Sequence, residues 1–71
     1  MLTECRRVIL TTDRFASEGA QRGMLGYVIE VRGNGEYEVE FSDQRTGISL
    51  AQVVVREDEI EELPELPSDG P

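Results

Sequence analysis

Residues 24–42 read MLGYVIEVRGNGEYEVEFS, two β-rich runs separated by Gly33, Asn34 and Gly35. In the second run apolar and acidic residues alternate without a break, so that Tyr37, Val39 and Phe41 fall on one face of a strand and Glu36, Glu38 and Glu40 on the other. A helix would scatter the same residues around its circumference. A hairpin with one wet and one buried face sorts them cleanly.

Matching the two faces constrains the turn. A two-residue Asn-Gly loop would set Val31 opposite Glu38 and mismatch the apolar sides. A three-residue loop of Gly33, Asn34 and Gly35 sets Val31 opposite Tyr37, Ile29 opposite Val39 and Tyr27 opposite Phe41, and all six are then expected in the core. The same register puts Arg32 across from Glu36, faces Glu30 with Glu38 on the outer surface, and requires Gly35 in the left-handed conformation with a G1 bulge. Replacing Glu38 by Gln is expected to be neutral or slightly stabilising, because it relieves repulsion with Glu30.

On either side of the hairpin, strand signals continue. Residues 6–12 (RRVILTT) are β-rich, and 13–23 (DRFASEGAQRG) form a long polar loop whose Phe15 either plugs the core or anchors a partner. After a turn at 42–46, residues 47–55 (GISLAQVVV) make a strand whose apolar parity slips near Ala51 and Gln52, which calls for a bulge or bend. Residues 56–59 suit a single helical turn and 60–63 a short closing strand. From Pro64 onward three Pro and one Gly in eight residues stop regular structure, dividing the chain into a domain, 1–63, and an acidic, Pro-rich tail, 64–71, expected to be disordered. These elements predict an all-β fold, a small five-stranded, partly open barrel of SH3-like type with a helical turn before its last strand; an OB-like barrel is the alternative.

Composition narrows the chemistry. The 71 residues include no His, Lys or Trp and one Cys, which removes imidazole bases, a lysine Schiff base, Cys/His zinc sites and an internal disulfide. Cys5 reads as a packing or surface residue in a reducing compartment. A barrel this small is filled by its own side chains, so the expectation is a non-enzymatic chain with no cofactor and no small-molecule ligand. No unbroken apolar run exceeds three residues, far short of a signal-peptide core or a membrane span, and the expected location is cytoplasmic.

The net charge of −8 is unevenly placed. Eight of the fifteen acids share residues 1–56 with all seven Arg, while 57–71 hold the other seven acids and no base. Such an end repels phosphate backbones and anionic lipid, so neither nucleic acid nor membrane is expected as a partner; a basic protein is. The candidate partner-binding residues are Glu30, Glu36, Glu38 and Glu40 on the hairpin and Glu57, Asp58, Glu59, Glu61 and Glu62 beyond it. Same-face neighbours on a strand lie roughly 6.5–7 Å apart, too far to share a proton but close enough to bracket an Arg/Lys-rich partner or a hydrated cation. The plainer alternative is a solvated face neutralised by Arg32, and a weak calcium-type site is a further one. No EF-hand loop is present.

The segment GMLGYVIEVRGNGEYEVEFSD resembles the central hairpin of a family of small bacterial proteins catalogued as a domain of unknown function. The matching residues are Gly23, Gly26, Val28, Glu30, Val31, Tyr37, Val39, Glu40, Phe41 and Asp43, with Val53 to Val55 and Ile60 or Leu63 behind them. The resemblance spans about residues 6–63 and implies an SH3-like barrel and an antitoxin or immunity role beside a toxin-like partner. The G-x-x-G-x-V hairpin is also similar to the KOW motif of ribosomal and transcription-elongation proteins, which implies RNA or ribosome docking, here through Arg6, Arg7, Arg14, Arg22 and Arg45. The acidic strand face departs from the basic surface of nucleic-acid-binding KOW proteins. Gly23 and Gly26 read as permitting tight backbone, since a strand and no helix N-terminus follows them.

Overall fold

The computed structural model describes residues 6–64. Cys5 and the tail beyond Pro64 lie outside the described residues. Five antiparallel strands, β1 (Arg7–Leu10), β2 (Leu25–Gly33), β3 (Glu36–Ser42), β4 (Ser49–Arg56) and β5 (Ile60–Glu62), form one sheet in the order β4-β3-β2-β1-β5. The helical content is two 3-10 turns, Ala16–Glu18 and Glu57–Glu59. β4 and β5 are the two edges and do not pair, so the all-β sheet is a partly open barrel and is not closed. Among the described residues no helix is long and apolar enough to cross a membrane.

The turn between β2 and β3 differs from the expected one. Gly33 pairs with Glu36, and the two residues between them, Asn34 and Gly35, both have positive φ, 56° and 76°. That is the signature of a two-residue type I′ turn, whose twist suits a hairpin. The three-residue loop is therefore corrected, although Gly35 does take the left-handed conformation. The face mismatch that argued against a two-residue turn is absorbed in β2, where Arg32 is an extra residue between the pairs Val31–Tyr37 and Gly33–Glu36.

A second irregularity lies at Ile29. Glu30 faces Glu38 as expected, but the next pair is Val28–Val39, with Ile29 unpaired between them. Beyond the bulge the register is displaced by one residue, so Gly26 faces Phe41 and Tyr27 faces Glu40. Of the six residues expected inside, Tyr37, Val39 and Phe41 are buried and Val31 packs against the core from its margin, but Tyr27 and Ile29 each remain 39% exposed. Val28 is buried in their place.

On β4 an extra residue, Leu50, separates the pairs Phe41–Ala51 and Ser42–Ser49. The expected slip of parity is present there: Val53 and Val55 are buried, whereas Ile48 and Leu50 are exposed.

The core consists of Val8, Leu10, Phe15, Ala20, Val28, Tyr37, Val39, Phe41, Val53, Val55 and Ile60. Phe15 comes from the long first loop and is a plug, 5% exposed. Its loop is closed at the base by hydrogen bonds from Gly23 N–H to the Leu10 carbonyl (2.7 Å) and from Leu10 N–H to the Met24 carbonyl (3.0 Å). Arg14 lies over the Phe15 ring, 4.2 Å from its centroid, and reaches Glu59 with both Nε and Nη2, at 2.5 and 2.7 Å. Glu59 also accepts a hydrogen bond from Arg56 N–H at 2.8 Å, so one carboxylate ties the loop to the second 3-10 turn.

Candidate functional site

The outer face of β2, β3 and β4 brings exposed apolar side chains and carboxylates together. Reading across the sheet, Tyr27, Glu40 and Gln52 form one row, Glu30, Glu38 and Val54 the next, and Gly33, Glu36 and Arg56 the last. Ile29 projects beside the second row because its bulge turns it outward. Tyr27, Ile29 and Val54 are exposed at 39%, 39% and 36%, large apolar groups set among carboxylates.

The carboxylates are not equivalent. Arg32 stands within 3.4 Å of Glu30 and 3.5 Å of Glu38, bridging the two acids that face each other instead of meeting Glu36 as expected. Glu38 also accepts a hydrogen bond from the Gln52 side-chain amide. That bond, with Arg32 beside it, holds the Glu38 carboxyl below the usual carboxylate range, against a smaller opposing effect of partial desolvation. The surroundings thus favour the charged form of Glu38, and Gln52 and Arg32 oppose the Glu30 repulsion on which the expectation for Glu38→Gln rests. Glu36 and Glu40 have no ion-pair or hydrogen-bond partner on their side chains among the described residues.

The second acidic group is divided as well. Glu59 is buried and committed to Arg14, which keeps its carboxyl below the ordinary range chiefly through their hydrogen bonds. It is a structural anchor, with no face to offer a partner. Glu62 is paired with Arg6. Glu57 sits at the hairpin end, where its N–H donates to the Gly35 carbonyl at 2.8 Å and its carboxylate accepts a long contact from the Tyr37 hydroxyl at 3.5 Å. Asp58 and Glu61 are exposed. Among the candidate acids of the described residues, Glu36, Glu40, Asp58 and Glu61 are therefore uncommitted, with Glu57 nearly so. Among the described residues no group of three or more His, Cys, Asp or Glu side chains is arranged to hold a metal ion.

The arginines invoked for RNA docking are mostly spent inside the molecule. Arg6 binds Glu62, Arg14 binds Glu59, Arg22 pairs with Asp13 at 3.1 Å, and Arg7 donates to the Pro64 carbonyl at 2.8 Å. Arg45 lies on the turn before β4, apart from that set.

Tyr27 and Ile29 were not legible as surface residues. Tyr27 and Ile29 look like core by parity, and only the bulge brings them out. Comparison with family models, with curated proteins and with solved structures finds no match to this chain.

Proposed function

We propose that this chain is a small, non-enzymatic protein-binding module that docks on a basic protein through the outer face of β2, β3 and β4. The observation that carries the reading is the exposure of Tyr27, Ile29 and Val54 between the carboxylates of Glu36, Glu38 and Glu40. An apolar centre supplies binding energy by desolvation, and an acidic surround supplies fast encounter and selection of partners of the opposite charge. The antitoxin or immunity role implied by the family resemblance is the specific form of this reading, with the basic partner a toxin-like protein. RNA docking is the weaker alternative, because Arg6, Arg7, Arg14 and Arg22 are engaged within the chain.

Affinity purification with the full chain as bait, alongside a Tyr27→Ser variant and a variant with Gln at 36, 38 and 40, tests the reading. One stoichiometric basic protein is expected with the parent chain, with sharply reduced recovery by both variants. Equal recovery by all three baits, or recovery of RNA with a steep salt dependence, would remove it.

A further inference from the structure

The two edges of the sheet are built differently. β5 is three residues long, carries Glu61 and Glu62 and runs into Pro64, features that discourage another strand from pairing. β4 has eight residues, Ser49–Arg56, with no acid, no Pro and a single charge at its end. Its bulge at Leu50 lies near one end, so the stretch from Ala51 to Val55 lacks the usual protections of an edge.

The hydrogen-bond alternation shows which of its peptide groups are open. A two-residue turn makes Gly33 and Glu36 a bonded pair, so along β3 the peptide groups of Tyr37, Val39 and Phe41 face β4. Their partners Val55, Val53 and Ala51 bond back to β3, and the bond from Glu57 N–H to the Gly35 carbonyl continues the same ladder. The N–H and C=O of Gln52 and Val54 therefore point away from the sheet. On either side the edge is less open: Arg56 N–H donates to Glu59, and Gly19 crowds the Leu50 carbonyl so closely that a Cβ there would approach it to 2.9 Å. Among the described residues the peptide groups of Gln52 and Val54 have no partner.

We propose that Gln52 and Val54 form a strand-addition site, at which an extended, Lys/Arg-bearing segment of the partner pairs with β4. The inference rests on the basic-partner reading above and gives it a mode of binding. Side chains on the outer face of an added strand would stand beside Gln52 and Val54, two strand spacings, about 10 Å, from the Glu40 and Glu38 positions of β3. Long basic side chains span that gap to the carboxylates, and main-chain bonds supply the rest of the affinity. A second copy of the chain is a poorer occupant, since it brings a like charge of −8 and offers only Arg56 as a cation on the pairing strand.

The probe is a short synthetic peptide alternating arginine with threonine, compared with the same peptide N-methylated at every amide, which keeps the side chains and charge but removes the donors. The chain is expected to bind the parent peptide in a salt-dependent manner, with slowed hydrogen exchange at the Gln52 and Val54 amides. Methylation of the peptide, and separately Val54→Pro in the chain, are each expected to weaken binding about tenfold or more. The proline removes an outward N–H and no bond to β3, a position an edge strand tolerates. Equal binding of both peptides would overturn strand addition and leave the acidic docking face standing. Failure of the parent peptide to bind at low salt would count against both. A dimer in sedimentation that Val54→Pro dissociates would assign the edge to a second copy and overturn the proposal.

Discussion

Gly26→Ala is expected to destabilise the fold although the backbone there suits any residue. Gly26 is buried and faces Phe41 across the hairpin. A Cβ at this position would lie 2.7 Å from both Cδ1 and Cε1 of Phe41 and 2.8 Å from Cγ1 of Val39. Comfortable carbon–carbon contact is about 3.5–4.0 Å, so the neighbours must withdraw by roughly 0.7 Å or more. Neither has free space outside the core to move into, because Phe41 and Val39 are both 0% exposed. Overpacking of this kind costs about 1–3 kcal/mol, a large part of the roughly 4–10 kcal/mol that a chain of this size holds in total. Urea unfolding followed by circular dichroism is expected to show a lower midpoint with an unchanged slope. Phe41→Leu alone leaves a cavity, but combined with Gly26→Ala it makes room for the new methyl, so the double variant is expected to lose less than the sum of the singles, by about 0.5 kcal/mol or more. A Gly26→Ala chain with the parent midpoint, or strict additivity in the cycle, would show that Gly26 is not where β2 yields its volume to Phe41.

Four further outcomes are expected. A Cβ at Gly35 meets no atom within 4 Å but must hold a φ of 76°, so Gly35→Val is expected to lose about 1–2 kcal/mol in urea titration through backbone strain, and Gly35→Asn is expected to recover most of it. Deleting Ile29 removes the unpaired residue yet keeps Val28 inward and Glu30 outward, so the variant is expected to fold with a regular ladder by NMR while losing affinity for the basic partner proposed above. Glu59→Gln is expected to cost about 1–2 kcal/mol at neutral pH. Because folding lowers the Glu59 pKa, its contribution is complete above the unfolded carboxylate value, about 4.3, and fades as pH falls through the folded value, so the gap between parent and Glu59→Gln should close in acid unfolding curves. Glu38→Gln is expected to lower stability near neutral pH slightly, with the difference likewise vanishing in acid, since its lowered pKa has the same sign; a more stable variant would show that repulsion from Glu30 outweighs Gln52 and Arg32.

The strand content, the order of elements and the inward face of β3 were legible because each rests on a local signal. Residues 36–41 have apolar side chains on one parity only, so just one face can go inside. β2 carries no such instruction. Its Tyr27, Ile29 and Val31 lie on one parity and Gly26 and Val28 on the other, and both parities are apolar enough to face a core. What decides is volume. The Phe41 ring occupies the space opposite β2 so completely that only a residue without a side chain fits there, and Gly26, not Tyr27, is the residue the core accepts. At the turn end Val31 still packs inward against the core, and the two requirements are met only if one residue is left over between them. Ile29 is that residue, and the bulge it forms is how a tight core expels Tyr27 and Ile29 onto the acidic face. A rule that sends every apolar residue inside cannot find such a surface, because the exposed pair is a consequence of packing between strands and of nothing written within β2 alone. The same consideration separates the acids: which carboxylates remain open depends on where Arg6, Arg14 and Arg32 land, and two of those pairings, Arg6 with Glu62 and Arg14 with Glu59, join residues more than forty positions apart. Sequence charge therefore locates the acidic regions, and the fold leaves Glu36 and Glu40 as the hairpin carboxylates without an ion pair among the described residues.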